Sequence, residues 1–385
     1  MTHAQQSFVP VIILALSAFV FNTTEFIPIA LLTDIGASFG MTASQTGIMM
    51  TVYAWIVALL SLPMMLLTAT IERKKLLLAL FALFVISHGV SYLATSFTML
   101  LISRAMVALT HAVFWSITAS LVVRLAPDGK QTQALGLLST GGALATVLGL
   151  PLGRVLGQLL DWRTSFGVIG LIGLIIMLLL TYLLPRLPAQ NSGNLSSLPD
   201  ILHNKPLLGV YLMIVLAITA HFGAYSYIEP FVLTATDFGA DFATMVLLIF
   251  GVAGIVASIL FGRYYEKPGN RFIGLAFGGM LIGLMALTPM SRFQTVWTVL
   301  VFVWGVSLTA LALSLQIRVL KLAPKATDVA MSIFSGIFNV GIGGGAMVGS
   351  LVIAGLGIGM IGYVGALILM GAIGVFMIST KKQSS

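Results

Sequence analysis

Two glutamates sit where a charge is costly. Glu25 lies inside a run of residues, 8–32, that holds no other charged side chain. Glu229 lies in a second run of the same kind. At about 1.5 Å of rise per residue and about 20 apolar residues per crossing, each run can span a bilayer as a helix. An ionised carboxylate at that depth costs on the order of 2.5–3.5 kcal/mol. A chain keeps such a group when it is paired, protonated or used, and a carboxyl so placed can take up and release protons. Glu25 is therefore a candidate proton-coupling acid, with a structural acid locked to an arginine as the alternative. Glu229 has the same option, or binds substrate hydroxyls, or caps a kink.

Basic and aromatic groups fall at helical spacing near these acids. Arg104, His111 and Trp115 are seven and four residues apart, so one helix face carries all three. An Arg104–Glu25 ion pair would neutralise both charges, and protonation of the acid would break it. His111, with a reference pKa of about 6.5, suits a proton relay. A buried neutral histidine donating one hydrogen bond is the other reading. His221, Tyr225 and Glu229 stand at i, i+4 and i+8, which puts them on one face of a continuous helix. His88 has no acid in view and reads as structural.

A polar ligand needs more than acids. Asn22, Gln316 and Asn339 supply amides, while Tyr53, Trp115, Tyr225, Tyr227 and Trp304 supply aromatic faces with a polar edge. Amides and carboxylates on hydroxyls, with rings against an apolar face, fit a neutral sugar; singly, each is also an ordinary packing or interfacial residue.

Enzyme motifs do not compete. Gly357-Ile-Gly-Met-Ile-Gly362 matches G-x-G-x-x-G, but it opens an apolar segment and has no acid twenty residues on. Walker A, H-E-x-x-H and G-x-S-x-G patterns are absent. With no cysteine, disulfides and thiolate metal sites are excluded. No cofactor is expected.

These groups must be held by membrane helices. Of the 385 residues, 59% are hydrophobic and 8% charged, against about 25% charged in soluble domains. Twelve apolar segments are predicted: 8–33, 43–69, 76–95, 98–123, 132–158, 164–184, 207–234, 242–264, 271–290, 294–319, 327–353 and 358–379. Pro28, Pro63, Pro151 and Pro230 mark kinks. Met1 to Gln6 reads as a polar tail.

Charge orients the segments. The turns on the side of the N-terminus, with the C-terminus, hold Arg73, Lys74, Lys75, Arg124, Lys130, Arg186, Lys205, Arg263, Lys267, Arg271, Arg318, Lys321, Lys325, Lys381 and Lys382. Arg104, Arg154, Arg163 and Arg292 lie elsewhere. Fifteen of nineteen basic residues on one side predict both termini in the cytoplasm. Spread over separate turns, these charges do not form a nucleic-acid surface, although the net charge is +8.

The chain reads as a duplication. Asp34-Ile-Gly-Ala-Ser-Phe39 reappears as Asp237-Phe-Gly-Ala-Asp-Phe242, each taken as a turn after its span. Leu125-Ala-Pro127 reappears as Leu322-Ala-Pro324, and Gly149 and Gly153 as Gly345 and Gly349. Between the copies lies a Pro-, Ser- and Asn-rich stretch. The expected domains are a bundle at 1–184, a cytoplasmic linker at 185–206 and a bundle at 207–385. Such repeats characterise transporters that work by alternating access. Small residues at Gly141, Ala145, Gly149, Gly153 and Gly157, echoed at Gly341, Gly345 and Gly349, predict close helix seams.

This organisation resembles the major facilitator superfamily. Within it, the Thr24-Glu25-Phe26 stretch, the Arg104 segment, Gly149 to Gln158 with Asp161-Trp-Arg163, Ala224 to Phe231 and Ser335 to Asn339 are similar to bacterial sugar efflux transporters of the drug:proton antiporter branch. The resemblance implies an all-α membrane protein of twelve transmembrane helices in two pseudo-symmetric six-helix bundles. It implies proton-driven export of sugars such as arabinose and of thiogalactosides; a proton-coupled exporter of drugs or amphiphiles is the alternative. Glu25, Arg104 and His111 would couple protons. Asn22, Glu25, Tyr53, His111, Trp115, His221, Tyr225, Glu229, Gln316 and Asn339 would line the substrate path. The expected setting is the bacterial inner membrane, as a monomer. The loop between spans two and three departs from the superfamily's usual pattern: it keeps Arg73 to Lys75, lacks the acid, and has Glu72 where a glycine is usual.

Overall fold

The computed structural model describes residues 7–68, 70–188, 198–264, 269–324 and 327–384, without the side chains of 131–132, 262–263, 327–328 and 381–384. The tail before Ser7, the linker's centre near residue 195, Lys267, Lys325 and the side chains of Arg263, Lys381 and Lys382 lie outside that description.

Among the described residues, twelve helical segments are long and apolar enough to cross a membrane, as expected. In chain order the helices are α1 Val9–Ala30, α2 Leu32–Phe39, α3 Ala43–Thr46, α4 Ile48–Leu67, α5 Arg73–Tyr92, α6 Phe97–Leu125, α7 Gln131–Leu144, α8 Leu150–Leu159 and α9 Trp162–Leu183. They continue as α10 Leu198–His203, α11 Lys205–Tyr225, α12 Ile228–Ala235, α13 Ala240–Tyr264, α14 Gly269–Ala286, α15 Gln294–Leu322, α16 Thr327–Leu356 and α17 Ile361–Ser384.

The helices assemble into two compact units. One is built from the chain through Asp34, the end of α4 from Leu59, and α5 to α9; the other from Ile35–Ala58 and α10 to α17. In the first unit, α1 packs on α7 and α8, and α5 packs on α6 and α9. In the second, α11 packs on α16 and α17, and α15 packs on α13 and α14.

Two of the four prolines mark an irregular backbone. Pro28 and Pro63 lie inside α1 and α4. Before Pro151, residues Ala145–Gly149 form a π-helical segment joining α7 to α8, an accommodation for the N–H that proline lacks. Pro230 has the largest effect. It cannot donate to the carbonyl of Ser226, and the chain breaks there, between α11 and α12. His221 and Tyr225 therefore sit on α11 while Glu229 sits in the first turn of α12. The single continuous face expected for the three does not exist.

The repeated Asp-x-Gly-Ala sequence also takes two forms. At Asp34 it is part of helix α2, not a turn, and the chain reverses later at Gly40, with φ +64°. At Asp237 it is a turn, with Gly239 at φ +84°. A positive φ is open to glycine at little cost, so each copy reverses where a glycine adopts it.

The glycine ladder forms the seam it predicted. A Cβ at Gly141 would lie 2.1 Å from the Ala15 carbonyl oxygen, and one at Gly149 2.2 Å from Thr23 Oγ1. At Gly153 it would meet Ile27, and at Gly157 Leu31. In the second unit Gly341 faces Ile218, Gly345 faces Thr219 and Phe222, and Gly349 faces Gly223 and Tyr227. Two tyrosines clamp this second seam, Tyr211 donating to the Ala330 carbonyl and Tyr227 to that of Ala346.

Candidate functional site

In the first unit the polar groups of three helices meet at one level. Thr24 and Glu25 come from α1, His88 from α5, and Arg104 and His111 from α6. All five are buried or nearly so.

The hydrogen bonds fix the direction of this network. His88 Nδ1 is 2.8 Å from the Phe84 carbonyl, which can only accept, so Nδ1 carries the proton. Nε2 then accepts from the Thr24 hydroxyl at 2.8 Å. The Thr24 oxygen in turn accepts from Arg104 Nη1 at 3.1 Å. Arg104 Nη2 donates to the backbone carbonyl of Glu25 at 3.3 Å. His88 is thereby a neutral, fixed orienter of Thr24, in keeping with a structural part.

The Glu25 carboxylate makes a different contact from the one expected. Its Oε2 lies 3.7 Å from His111 Nε2, with side-chain exposure of 9% and 5%. The Arg104–Glu25 side-chain ion pair is not formed; Arg104 holds the main chain and Thr24 instead. Span depth alone put Arg104 and Glu25 together, but His111, seven residues along the same face of α6, is the side chain level with the carboxylate, while Arg104 meets the backbone beside it. Arg104 stands near the turn where Pro28 leaves the Thr24 carbonyl without its helical donor.

Aromatic rings wall this site. Phe21 stacks on Phe114 at 4.1 Å, and His111 lies 6.2 Å from Trp115, ring centre to ring centre. Asn22 is half-buried beside Gly142. Thr24 was missed from the sequence; the signal available was the polar Thr23-Thr24 pair immediately before the acid.

The second unit gathers rings instead of charges. His221 stacks on Tyr225 at 4.8 Å and meets Trp304 edge to face at 5.3 Å. Phe250 closes the box, 4.6 Å from Tyr225 and 5.0 Å from Trp304. His221 Nδ1 and Trp304 Nε1 are buried without a hydrogen-bond partner. Glu229 is buried in α12. Tyr53, on α4 before Leu59, belongs to this unit and is buried; Gln316 is half-buried on α15. Asn339, on α16, donates to the Ser335 carbonyl at 3.1 Å, and its Oδ1 is buried without a partner.

The loop between spans two and three is tied down within the first unit. Glu72 caps α5, accepting from the N–H groups of Lys74 and Lys75 at 3.0 and 2.9 Å, and from that of Leu187 at 2.6 Å. Lys74 Nζ donates to the carbonyls of Thr181 and Leu184 at the end of α9. Burial works to raise the Glu72 pKa, but these backbone donors outweigh it and hold the carboxyl below its usual value.

Twelve membrane-crossing helices, a buried acid–imidazole contact in one unit and an aromatic box in the other define a multi-pass membrane transporter, not an enzyme. The chain belongs to the Major Facilitator Superfamily, whose family model matches residues 14–342. It is 53% identical over 365 residues to a probable sugar efflux transporter of Helicobacter acinonychis, covering 95% of this chain and 92% of that protein. A probable sugar efflux transporter of Mannheimia succiniciproducens is 52% identical, with 95% and 91% covered. Among solved structures, a bacterial homologue of the human lysosomal transporter Spinster, inward-facing and unoccupied, superimposes with a TM-score of 0.77 at 15% identity, covering 99% and 98% of the two chains. That likeness concerns the fold.

Proposed function

We propose that the protein exports sugars, arabinose-like sugars and thiogalactosides among them, in exchange for protons, by alternating access. The observation that carries the proton part is the buried Glu25 carboxylate against His111 Nε2, beside an arginine engaged with the backbone. A proton on Glu25 removes its charge where water is scarce, and His111 is placed to pass or receive that proton. Arg104 supplies a fixed positive charge, held by Thr24, that favours return to the ionised form. The sugar part rests on relatives more than half identical over nearly the whole chain, which bear that description.

In this reading the first unit offers the sugar Asn22, Glu25, His111 and Trp115, and the second, taken by itself, offers Tyr53, His221, Tyr225, Glu229, Gln316 and Asn339. By the sequence repeat the domains run 1–184 and 207–385 with a cytoplasmic linker at 185–206, although residues 35–58 count with the second compact unit. The protein works as a monomer in the bacterial inner membrane with both termini in the cytoplasm, as the distribution of Lys and Arg favours.

The test is transport by purified protein in proteoliposomes. An imposed pH gradient drives labelled arabinose or thiogalactoside against its concentration in the wild type. Glu25→Gln should abolish uphill movement while leaving downhill exchange. Uphill transport at the wild-type rate by this variant overturns the coupling role. Competition by a panel of cationic drugs, with none by sugars, overturns the substrate class.

A further inference from the structure

One end of the second unit holds a cavity of about 590 Å³ that the transport reading does not use. It lies where four helices begin or end: Lys205 opens α11, Gly269 opens α14, Lys321 and Leu322 close α15, and Ser379 is in the last turns of α17. Sixteen residues of α11, about 24 Å at helical rise, separate Lys205 from His221, so the cavity is distinct from the aromatic box.

Its lining has two characters. Lys205, Arg318 and Lys321 make a basic mouth, and no acidic side chain lines it among the described residues. Arg318 is already ordered: Nη2 donates to Asn270 Oδ1, and its guanidinium lies 5.6 Å from the centre of the Phe376 ring. The starts of α11 and α14 add the positive ends of two helices. Deeper in, the wall is apolar, formed by Val210, Met213, Val375 and Ile378. A Cβ at Gly209 would meet nothing within 4 Å, so the wall is open there.

We propose that this cavity binds an anionic phospholipid. Its phosphate sits against Lys205, Arg318 and Lys321, and one acyl chain lies along the Met213–Val375 wall. A soluble anion would use the mouth but leave the apolar wall bare; a neutral amphiphile would fill the wall but bring no negative charge to a mouth lined by basic residues. At the ends of membrane-crossing helices the cavity stands at headgroup depth. On the orientation proposed above it faces the cytoplasmic leaflet, where anionic lipids and basic clusters meet. The inference does not depend on which solute is carried.

Native mass spectrometry of the full chain, released from mixed phosphatidylglycerol and phosphatidylcholine of matched acyl chains, tests it. Phosphatidylglycerol should be retained preferentially, by about fivefold per basic residue and on the order of a hundredfold in all. The preference should vanish in Lys205→Gln/Arg318→Gln/Lys321→Gln and persist in the exposed-charge control Lys75→Gln/Lys130→Gln. Gly209→Leu fills the cavity without touching a charge and should lose the lipid while keeping transport. Equal retention of the two lipids, or retention by the triple variant, overturns the proposal. Protection by inorganic phosphate equal to that by the lipid overturns it in favour of a plain anion site.

Discussion

The two units share a scaffold and differ in chemistry. Helices α6 and α15 are both 29 residues long and end at the repeated Leu-Ala-Pro sequence. Carried 197 residues forward, Arg104, His111 and Trp115 fall on Val301, Leu308 and Ala312. The stripe that faces Glu25 has no charged or polar counterpart. The glycine seams, by contrast, recur in both units with the same partners, the fifth span on the first and the eleventh on the seventh. Duplication thus set the helix packing twice, while a network of Glu25, His111, Arg104, Thr24 and His88 formed once among the described residues. The second unit offers rings, a buried acid and orphaned ring N–H positions, a surface for recognition more than for charge transfer.

The sharpest break of that contrast compares the two acids directly. Glu25→Gln should cut gradient-driven transport by on the order of a hundredfold, the scale of losing a positioned proton-transfer group. Glu229→Gln should cost about tenfold, felt in apparent affinity, as for one hydrogen bond to a charged group. Initial rates across an imposed pH gradient, with and without it, read both. Equal losses would mean that both halves carry protons.

The contrast also shows what could be read beforehand. Twelve spans, the distortions at Pro151 and Pro230 and both seams follow from hydropathy, the missing proline N–H and the spacing of small residues, all of which are local. The partner of Glu25 is not local. Spacing put Arg104 and His111 on one face of α6 but did not fix which of them lies level with the acid on α1, so His111 stands where the expected pair had the arginine. Thr24 was harder still: the polar Thr23-Thr24 pair before the acid was visible, but its bridge between the neutral His88 and Arg104 joins three helices and leaves no mark in spacing. The break at Pro230 could have been foreseen: a proline four residues after Ser226 removes the bond a continuous helix needs there.

The seams give the next largest effect, on stability. Gly141→Ala and Gly345→Ala each place a methyl within 2.1 and 2.7 Å of backbone oxygen. Each should destabilise its unit by about 1–3 kcal/mol, the range for overpacking. Gly136→Ala, in α7 with nothing within 4 Å of the added carbon, should be neutral or stabilising by up to about 1 kcal/mol from helix propensity. Thermal unfolding in detergent separates them. A loss in one seam only would show that the likeness of the two halves is not energetic.

A finer test bears on the charged half alone. Thr24→Val keeps the shape of the side chain but removes the hydroxyl between His88 Nε2 and Arg104 Nη1. The loss of a hydrogen bond to a charged group predicts about 1.5–3 kcal/mol, seen as a transport defect of roughly tenfold or more with a displaced pH profile. Thr24→Ser should restore it. A valine variant with wild-type rate and profile would reduce the network to packing.

The smallest effect concerns Glu72, the cap of α5. Its pKa is held below the usual 4.5 in the folded protein because backbone donors favour the carboxylate. A depressed pKa contributes stability that is present above the unfolded value and disappears as pH falls through the folded one. Between neutral pH and about 5 the contribution should therefore be constant, and it should fade only below about 4.5. Glu72→Ala removes the cap and should cost about 1 kcal/mol at neutral pH, with the gap to wild type closing on acidification. Unfolding temperatures at pH 7 and pH 4 check this. A gap that widens on acidification would mean that Glu72 is held as the neutral acid, contrary to its three N–H donors.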